Sequence, residues 1–189
     1  YSNKNQINLK TCSYPSLFQT YSPNETQRRE IDKTELTFDQ IIANLTKLSI
    51  KLVDGGKSFA EENSKCTTEG LKYRRVAFII PYRNRLKNLM IFLNNMHLFW
   101  IQHNLTYGVY LIEPSEELTF NRGLLMNIGY LEAVKDSYGI NRGNNSMSYW
   151  DCFVFHDVDM IPEDERLHYT CDPNYPLHYA VAVSKFNYK

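Results

Sequence analysis

Apolar and polar positions divide these 189 residues into unlike stretches. Residues 1–33 are polar, rich in Asn, Ser, Thr and Gln, with no apolar period, and read as a tether or lead-in. Ile41, Leu45, Leu48 and Leu52 then recur at helical spacing, supported by Leu36 and Phe38. The spacing predicts a helix over about 34–53, with Asp32 and Glu35 as a capping box and Gly55-Gly56 as the stop. Residues 54–70 read as a loop that contains Cys66. After Tyr73 the pattern changes. Val76 to Ile80 is a continuous apolar run ended by Pro81, the mark of a strand buried on both faces. Leu86, Leu89, Leu93, Met96 and Trp100 follow at helical spacing, and Gly108 to Ile112 is a second strand. Leu124, Ile128 and Leu131 mark another helix, Cys152 to Phe155 a third strand, and Tyr179 to Val183 a fourth. Strand and helix alternate, which predicts an α/β fold with a sheet of parallel βαβ units. In such sheets ligands collect at the carboxyl ends of the strands.

Charge narrows the function classes. Lys plus Arg is 21 and Asp plus Glu is 21. A protein that coats nucleic acid needs a positive excess, so no nucleic-acid partner is expected. The longest stretch without Lys, Arg, Asp or Glu runs from Asn88 to Ile112, and it holds Asn94, Asn95, His97, Gln102, His103 and Asn104. A bilayer core does not tolerate that polarity, so no membrane-spanning segment is expected within these residues.

Four cysteines, Cys12, Cys66, Cys152 and Cys171, fit two disulfides with three connectivities, or four buried thiols. No CxxC pair suggests a zinc knuckle. Asn24, Asn44, Asn104 and Asn144 each open an N-x-[ST] sequon, four where chance gives about two. The excess leans towards a secreted or lumenal protein.

The chemistry lies at the predicted strand ends. The first strand runs into Pro81-Tyr82-Arg83-Asn84-Arg85, which places two planar donor forks at the opening of a helix, a setting that suits a phosphate. On position alone a solvated loop fits these residues equally well. Phe120-Asn121-Arg122 opens the next helix, where an aromatic beside an Arg suits a base and a phosphate, although most such Phe residues are core. The third strand ends in His156-Asp157-Val158-Asp159. Two carboxylates one residue apart suit a hard cation such as Mn²⁺ or Mg²⁺ that takes its remaining ligands from substrate phosphates. His156 reads as structural rather than as a ligand. Lys185 is placed to reach a phosphate or to remain a solvated charge.

In combination, Val76 to Arg85, Phe120 to Arg122 and Phe153 to Pro162 resemble the animal β-1,4-galactosyltransferases in order and spacing, and His178 to Phe186 resembles a further strand of that family. The resemblance covers about residues 66–189, the nucleotide-sugar-binding part of a galactosyltransferase catalytic domain, with 1–65 as a variable stem. It implies a GT-A fold, cut short after its fourth strand, and Mn²⁺-dependent inverting transfer from UDP-galactose, or UDP-N-acetylgalactosamine, to a terminal N-acetylglucosamine-type glycan acceptor. It also implies a type II protein of the Golgi lumen, whose anchor would lie upstream of Tyr1. By that resemblance Pro81, Tyr82, Arg83, Asn84, Arg85, Phe120, Asn121 and Arg122 hold UDP, Asp157 and Val158 line the nucleotide-sugar site, and Asp159 ligates Mn²⁺. It implies a Cys152–Cys171 disulfide around the metal motif and leaves Cys12 with Cys66. The family's Trp-Gly-acidic segment, which supplies its proposed general base, has no counterpart among these residues, so the base is expected beyond Lys189.

Two other readings compete. A haloacid-dehalogenase-type phosphatase also places DxD after an apolar strand, but its x-[TV] continuation meets Ile161 here, and the motif falls late in the chain. The other is a UDP-binding protein without transferase activity.

Overall fold

The computed structural model describes residues 29–47, 75–103, 105–140 and 150–188. In chain order the elements are α1 (Phe38–Lys47), β1 (Arg75–Pro81), α2 (Leu86–Gln102), β2 (Thr106–Ile112), α3 (Arg122–Ile140) and β3 (Cys152–Phe155), followed by a 3-10 turn at Ser184–Phe186. The described strands form one sheet in the order β2-β1-β3. Both pairings are parallel, with Val76 opposite Tyr107 on one side and Cys152 on the other. The expected α/β class and parallel sheet are therefore present.

A parallel sheet has to be covered on both faces. Central β1 shows this most fully, since Val76 to Ile80 are completely buried. Val76, Phe78 and Ile80 join Phe92, Leu93, Met96 and Trp100 of α2 in one core cluster. The Phe78 and Trp100 rings stack with centroids 4.2 Å apart. Ile41 and Leu45 of α1 belong to the same cluster, so α1 shares the core of the sheet. The opposite face carries Ala77 and Ile79 and is covered by α3. There the helix comes very close: a Cβ on Gly129 would lie 2.4 Å from Ile79 Cγ2 and 2.8 Å from Ile112 Cγ1. Only a residue without a side chain fits that contact.

Two expectations need correction. Tyr179 to Val183 is not a strand. The run bends at residues 181–182, and Val181 is 79% exposed. Its backbone is used locally instead, with the Phe186 and Tyr188 N–H groups both donating to the Val183 carbonyl. Tyr179 turns inward, where its phenol meets both the N–H and the carbonyl of Thr170. An apolar run becomes a strand only where a sheet edge offers it hydrogen bonds, and no described strand pairs with this one. The helix expected around Leu124, Ile128 and Leu131 is present as α3, with those three side chains 52%, 38% and 56% exposed. The buried positions are Leu125, Met126 and Ala133, beside Gly129. The described start of α1 is Phe38 rather than residue 34, and the capping box is Thr37 with Gln40. The Thr37 hydroxyl accepts from the Gln40 N–H at 3.3 Å, and the Gln40 side chain accepts from the Thr37 N–H at 2.7 Å. Asp32 closes its own small turn by accepting from the Thr34 N–H at 2.8 Å. The expected continuation of the helix to residue 53 and the loop over 54–70 lie outside the described residues.

Candidate functional site

The strand order creates the site. From β1 the chain crosses through α2 on one face to reach β2, then returns through α3 on the other face to β3, on the far side of β1. The connections diverge at the carboxyl ends of β1 and β3, where open α/β sheets leave a crevice. Three segments meet there: residues 81–85 after β1, 120–122 at the start of α3, and 156–159 after β3.

The first segment turns sharply. Pro81 and Tyr82 are buried, and the Tyr82 N–H donates to the Ile112 carbonyl at 2.9 Å, fastening the strand end. Asn84 then adopts φ 49°, a left-handed conformation that Asn tolerates better than most residues. Arg83 reaches back to donate from Nη2 to the Leu118 carbonyl at 2.5 Å, and its guanidinium lies 5.7 Å from the Phe120 ring centroid. Its Nε is buried without an acceptor among the described residues. Arg85 points the other way and meets Asp159, with Nη1 to Oδ2 at 2.7 Å.

The second segment begins α3. The Asn121 side chain accepts from the Leu124 N–H at 3.0 Å, an N-cap that fixes the first turn. Phe120 is 46% exposed. Arg122 presents its fork to Asp157, with Nε to Oδ1 at 2.7 Å and Nη2 to Oδ2 at 2.9 Å. That hydrogen bonding holds the guanidinium proton even more firmly than usual.

Asp157 and Asp159 are thus each met by an arginine, from α3 and from the β1 loop respectively. All four side chains are roughly half exposed. Pairs this open contribute at most about 1 kcal/mol each. Their significance is placement: two carboxylates and two guanidiniums crowd one crevice open to water. Val158 between the aspartates is 4% exposed and packs into the core, leaving its backbone towards the turn. His156 is buried. Its Nδ1 lies 2.9 Å from the Asp157 carbonyl and its Nε2 2.8 Å from the Tyr169 hydroxyl, and burial lowers its basicity. Tyr169 is a residue that sequence reasoning missed. Its only signal was an aromatic two positions before Cys171.

The Cys152–Cys171 disulfide is present, with Cα atoms 5.5 Å apart. Cys12 and Cys66 lie outside the described residues, as do Asn24, Asn104 and Asn144. Asn44 is exposed on α1, and the Thr46 hydroxyl of its sequon donates to the Ile42 carbonyl at 2.8 Å. Lys185 lies in the 3-10 turn with Nζ 5.8 Å from the Phe186 ring centroid.

The donor set fits a hard divalent cation in one particular way. No three His, Cys, Asp or Glu side chains converge among the described residues, so there is no self-sufficient cage. Exposed carboxylate oxygens suit Mn²⁺ or Mg²⁺ when phosphate and water complete the shell.

The family described as the N-terminal region of glycosyl transferase group 7 matches residues 20–172. The chain belongs to that family. The expected resemblance to β-1,4-galactosyltransferases holds as well, and the phosphatase reading falls with the family match. Among relatives, beta-1,4-galactosyltransferase 4 of Cricetulus griseus is 37% identical over 185 residues, 97% of this chain and 45% of the relative. A beta-N-acetyl-D-glucosaminide beta-1,4-N-acetylglucosaminyl-transferase of Lymnaea stagnalis is 42% identical over 116 residues, 61% of this chain and 21% of the relative. The chain thus spans less than half the length of these relatives. Among solved structures, the catalytic domain of Drosophila beta1,4galactosyltransferase 7 in complex with xylobiose matches with a TM-score of 0.45 and 23% identity, over 53% of this chain and 37% of that one.

Proposed function

We propose that this chain is the donor-binding part of a GT-A glycosyltransferase. It binds a UDP-sugar, galactose or N-acetylgalactosamine, for Mn²⁺-dependent inverting transfer to a terminal N-acetylglucosamine-type acceptor in the Golgi lumen. Residues 66–189 form the nucleotide-sugar part and 1–65 the lead-in. The observation that carries this reading is the pairing of Asp157 with Arg122 and of Asp159 with Arg85 at the switch point of the sheet. Group 7 membership supplies the reaction class.

Each residue type suits its task. A diphosphate carries dense negative charge, and Arg85 and Arg122 offer planar donor forks that match phosphate oxygens. Arg83 braces the 113–121 segment through Leu118 and lies over one face of Phe120, whose half-exposed ring suits stacking on a flat base. Asn121 and the first turn of α3 orient Arg122. Asp159 would hold Mn²⁺, which when bound neutralises the leaving diphosphate. The arginines serve a further purpose without ligand, because they keep the two carboxylates from standing uncompensated in one crevice.

The test is UDP binding by calorimetry with Mn²⁺ and with excess EDTA. Binding should need the metal, and Asp159→Asn should weaken it at least about tenfold. Equal UDP affinity in EDTA would refute the proposal. Measuring sugar transfer separately from binding distinguishes a transferase from a UDP-binding protein without activity.

A further inference from the structure

His156 is a histidine that the donor-site reading does not use, yet its hydrogen bonds lead directly into the turn that carries both aspartates. β3 ends at Phe155, and the chain must leave the sheet with Asp157 and Asp159 facing the crevice. The Asp157 carbonyl closes that turn. It accepts from the Met160 N–H at 3.2 Å and from His156 Nδ1 at 2.9 Å. A carbonyl only accepts, so Nδ1 carries the proton. In the neutral imidazole Nε2 is then the acceptor, and the Tyr169 hydroxyl at 2.8 Å donates to it. The polarity is fixed in one direction, from the Tyr169 hydroxyl through the imidazole to the Asp157 carbonyl. Burial favours the neutral form of both groups, which preserves that polarity.

Both rings are held from outside the turn. The imidazole sits 5.2 Å from the Phe92 ring and 6.4 Å from Phe78. Tyr169 meets Phe78 edge-on at 5.1 Å and Phe99 at 6.0 Å. Two residues later Cys171 returns to Cys152, the first residue of β3. The 156–171 segment is therefore closed twice, once by the disulfide and once by the His156–Tyr169 bond. Only the second closure touches the peptide between the two aspartates.

We propose that Tyr169 and His156 are positioning residues that set the Asp157–Asp159 turn for a divalent cation and its nucleoside diphosphate. This rests on the donor-site reading above. A histidine that merely fills space is replaceable by another ring at a cost in stability alone. A histidine that orients a peptide carbonyl beside a metal ligand changes the affinity of the site, by about 10- to 100-fold in metal sites with such outer partners.

The experiment is Mn²⁺ binding to the intact protein in the presence of UDP, read by calorimetry and by the electron paramagnetic resonance signal of free Mn²⁺. His156→Phe keeps a ring and removes both hydrogen bonds; affinity should fall about tenfold. His156→Asn places an amide NH₂ near the position of Nδ1 and should recover most of that loss. Tyr169→Phe keeps the ring packing, removes only the hydroxyl, and should fall between the two. Asp159→Asn is the reference variant. If it weakens binding while His156→Phe and Tyr169→Phe stay within about twofold of the parent, the positioning role is overturned and the donor site stands. A loss that Asn does not restore, in step with the fall in melting temperature, shows simple packing and overturns it too. If Asp159→Asn binds like the parent, the donor-site reading fails and takes this inference with it.

Discussion

Two glycines of α3 should respond to the same substitution with opposite signs. In a helix, Gly→Ala gains about 1 kcal/mol from the backbone alone. At Gly129 the added Cβ would stand 2.4 Å from Ile79 Cγ2 and 2.8 Å from Ile112 Cγ1. A normal carbon contact is about 3.5–4.0 Å, so something has to retreat by more than about 1 Å. Ile79 is fully buried in the central strand, and a β-branched side chain there has little freedom at χ1. The helix must therefore lift. Overpacking of this severity costs about 3 kcal/mol, which outweighs the helical gain and leaves a net loss of about 2 kcal/mol. For a domain of this size that lowers Tm by about 4–8 °C. At Gly123, near the start of the same helix, the Cβ would meet only Asn121 Oδ1, at 3.7 Å, an ordinary contact. Gly123→Ala should keep the helical gain of up to about 1 kcal/mol and raise Tm by about 2–4 °C. Thermal unfolding followed by circular dichroism reads both. A Gly129→Ala protein as stable as the parent would refute the close contact of α3 with the sheet. The loss should also reach the site, because Arg122 begins the helix about 10 Å along the axis from Gly129 and has to stay within reach of Asp157.

Two further outcomes follow from burial and from the disulfide. Replacing Cys152 and Cys171 together by Ala opens a closure with a sequence separation of 19, worth about 3 kcal/mol in denaturant titration, and an unchanged midpoint would exclude that stabilisation. His97 is buried against the Tyr107 hydroxyl at 2.7 Å, and burial lowers its pKa from 6.5 to about 4. The folded state keeps this imidazole neutral while the unfolded chain takes up a proton, so its contribution is complete above pH 6.5 and lost as pH falls towards 4. The loss by pH 4 is roughly 3 kcal/mol, and the difference in pH slope between the parent and His97→Gln measures it. Identical slopes would show that His97 does not carry this dependence.

The parts of the fold legible in the sequence were those where one physical demand acts alone. An apolar run such as Val76 to Ile80 fits only a strand covered on both faces, and it is the central strand. Where two demands compete, apolar character misleads. Leu124, Ile128 and Leu131 are the obvious stripe on α3, but close contact with a sheet selects for absence of bulk, and Gly129 and Ala133 face inward instead. Tyr179 to Val183 has the composition of a strand and finds no ladder among the described residues, because pairing depends on a neighbour that composition does not specify. The site divides in the same way. Each motif was visible as a strand ending in charged residues, yet the partnership of charges was not. Arg85 and Asp159 are 74 positions apart, and Arg122 and Asp157 are 35 apart. The order β2-β1-β3 makes them neighbours, since it puts the ends of β1 and β3 side by side with the start of α3. Tyr169 is the extreme case. Its one mark in the chain is its place two positions before Cys171, and only the disulfide-closed return of the 156–171 segment brings its hydroxyl to His156. The carboxylates of the site are thus local sequence features, while the groups that aim them are products of the fold.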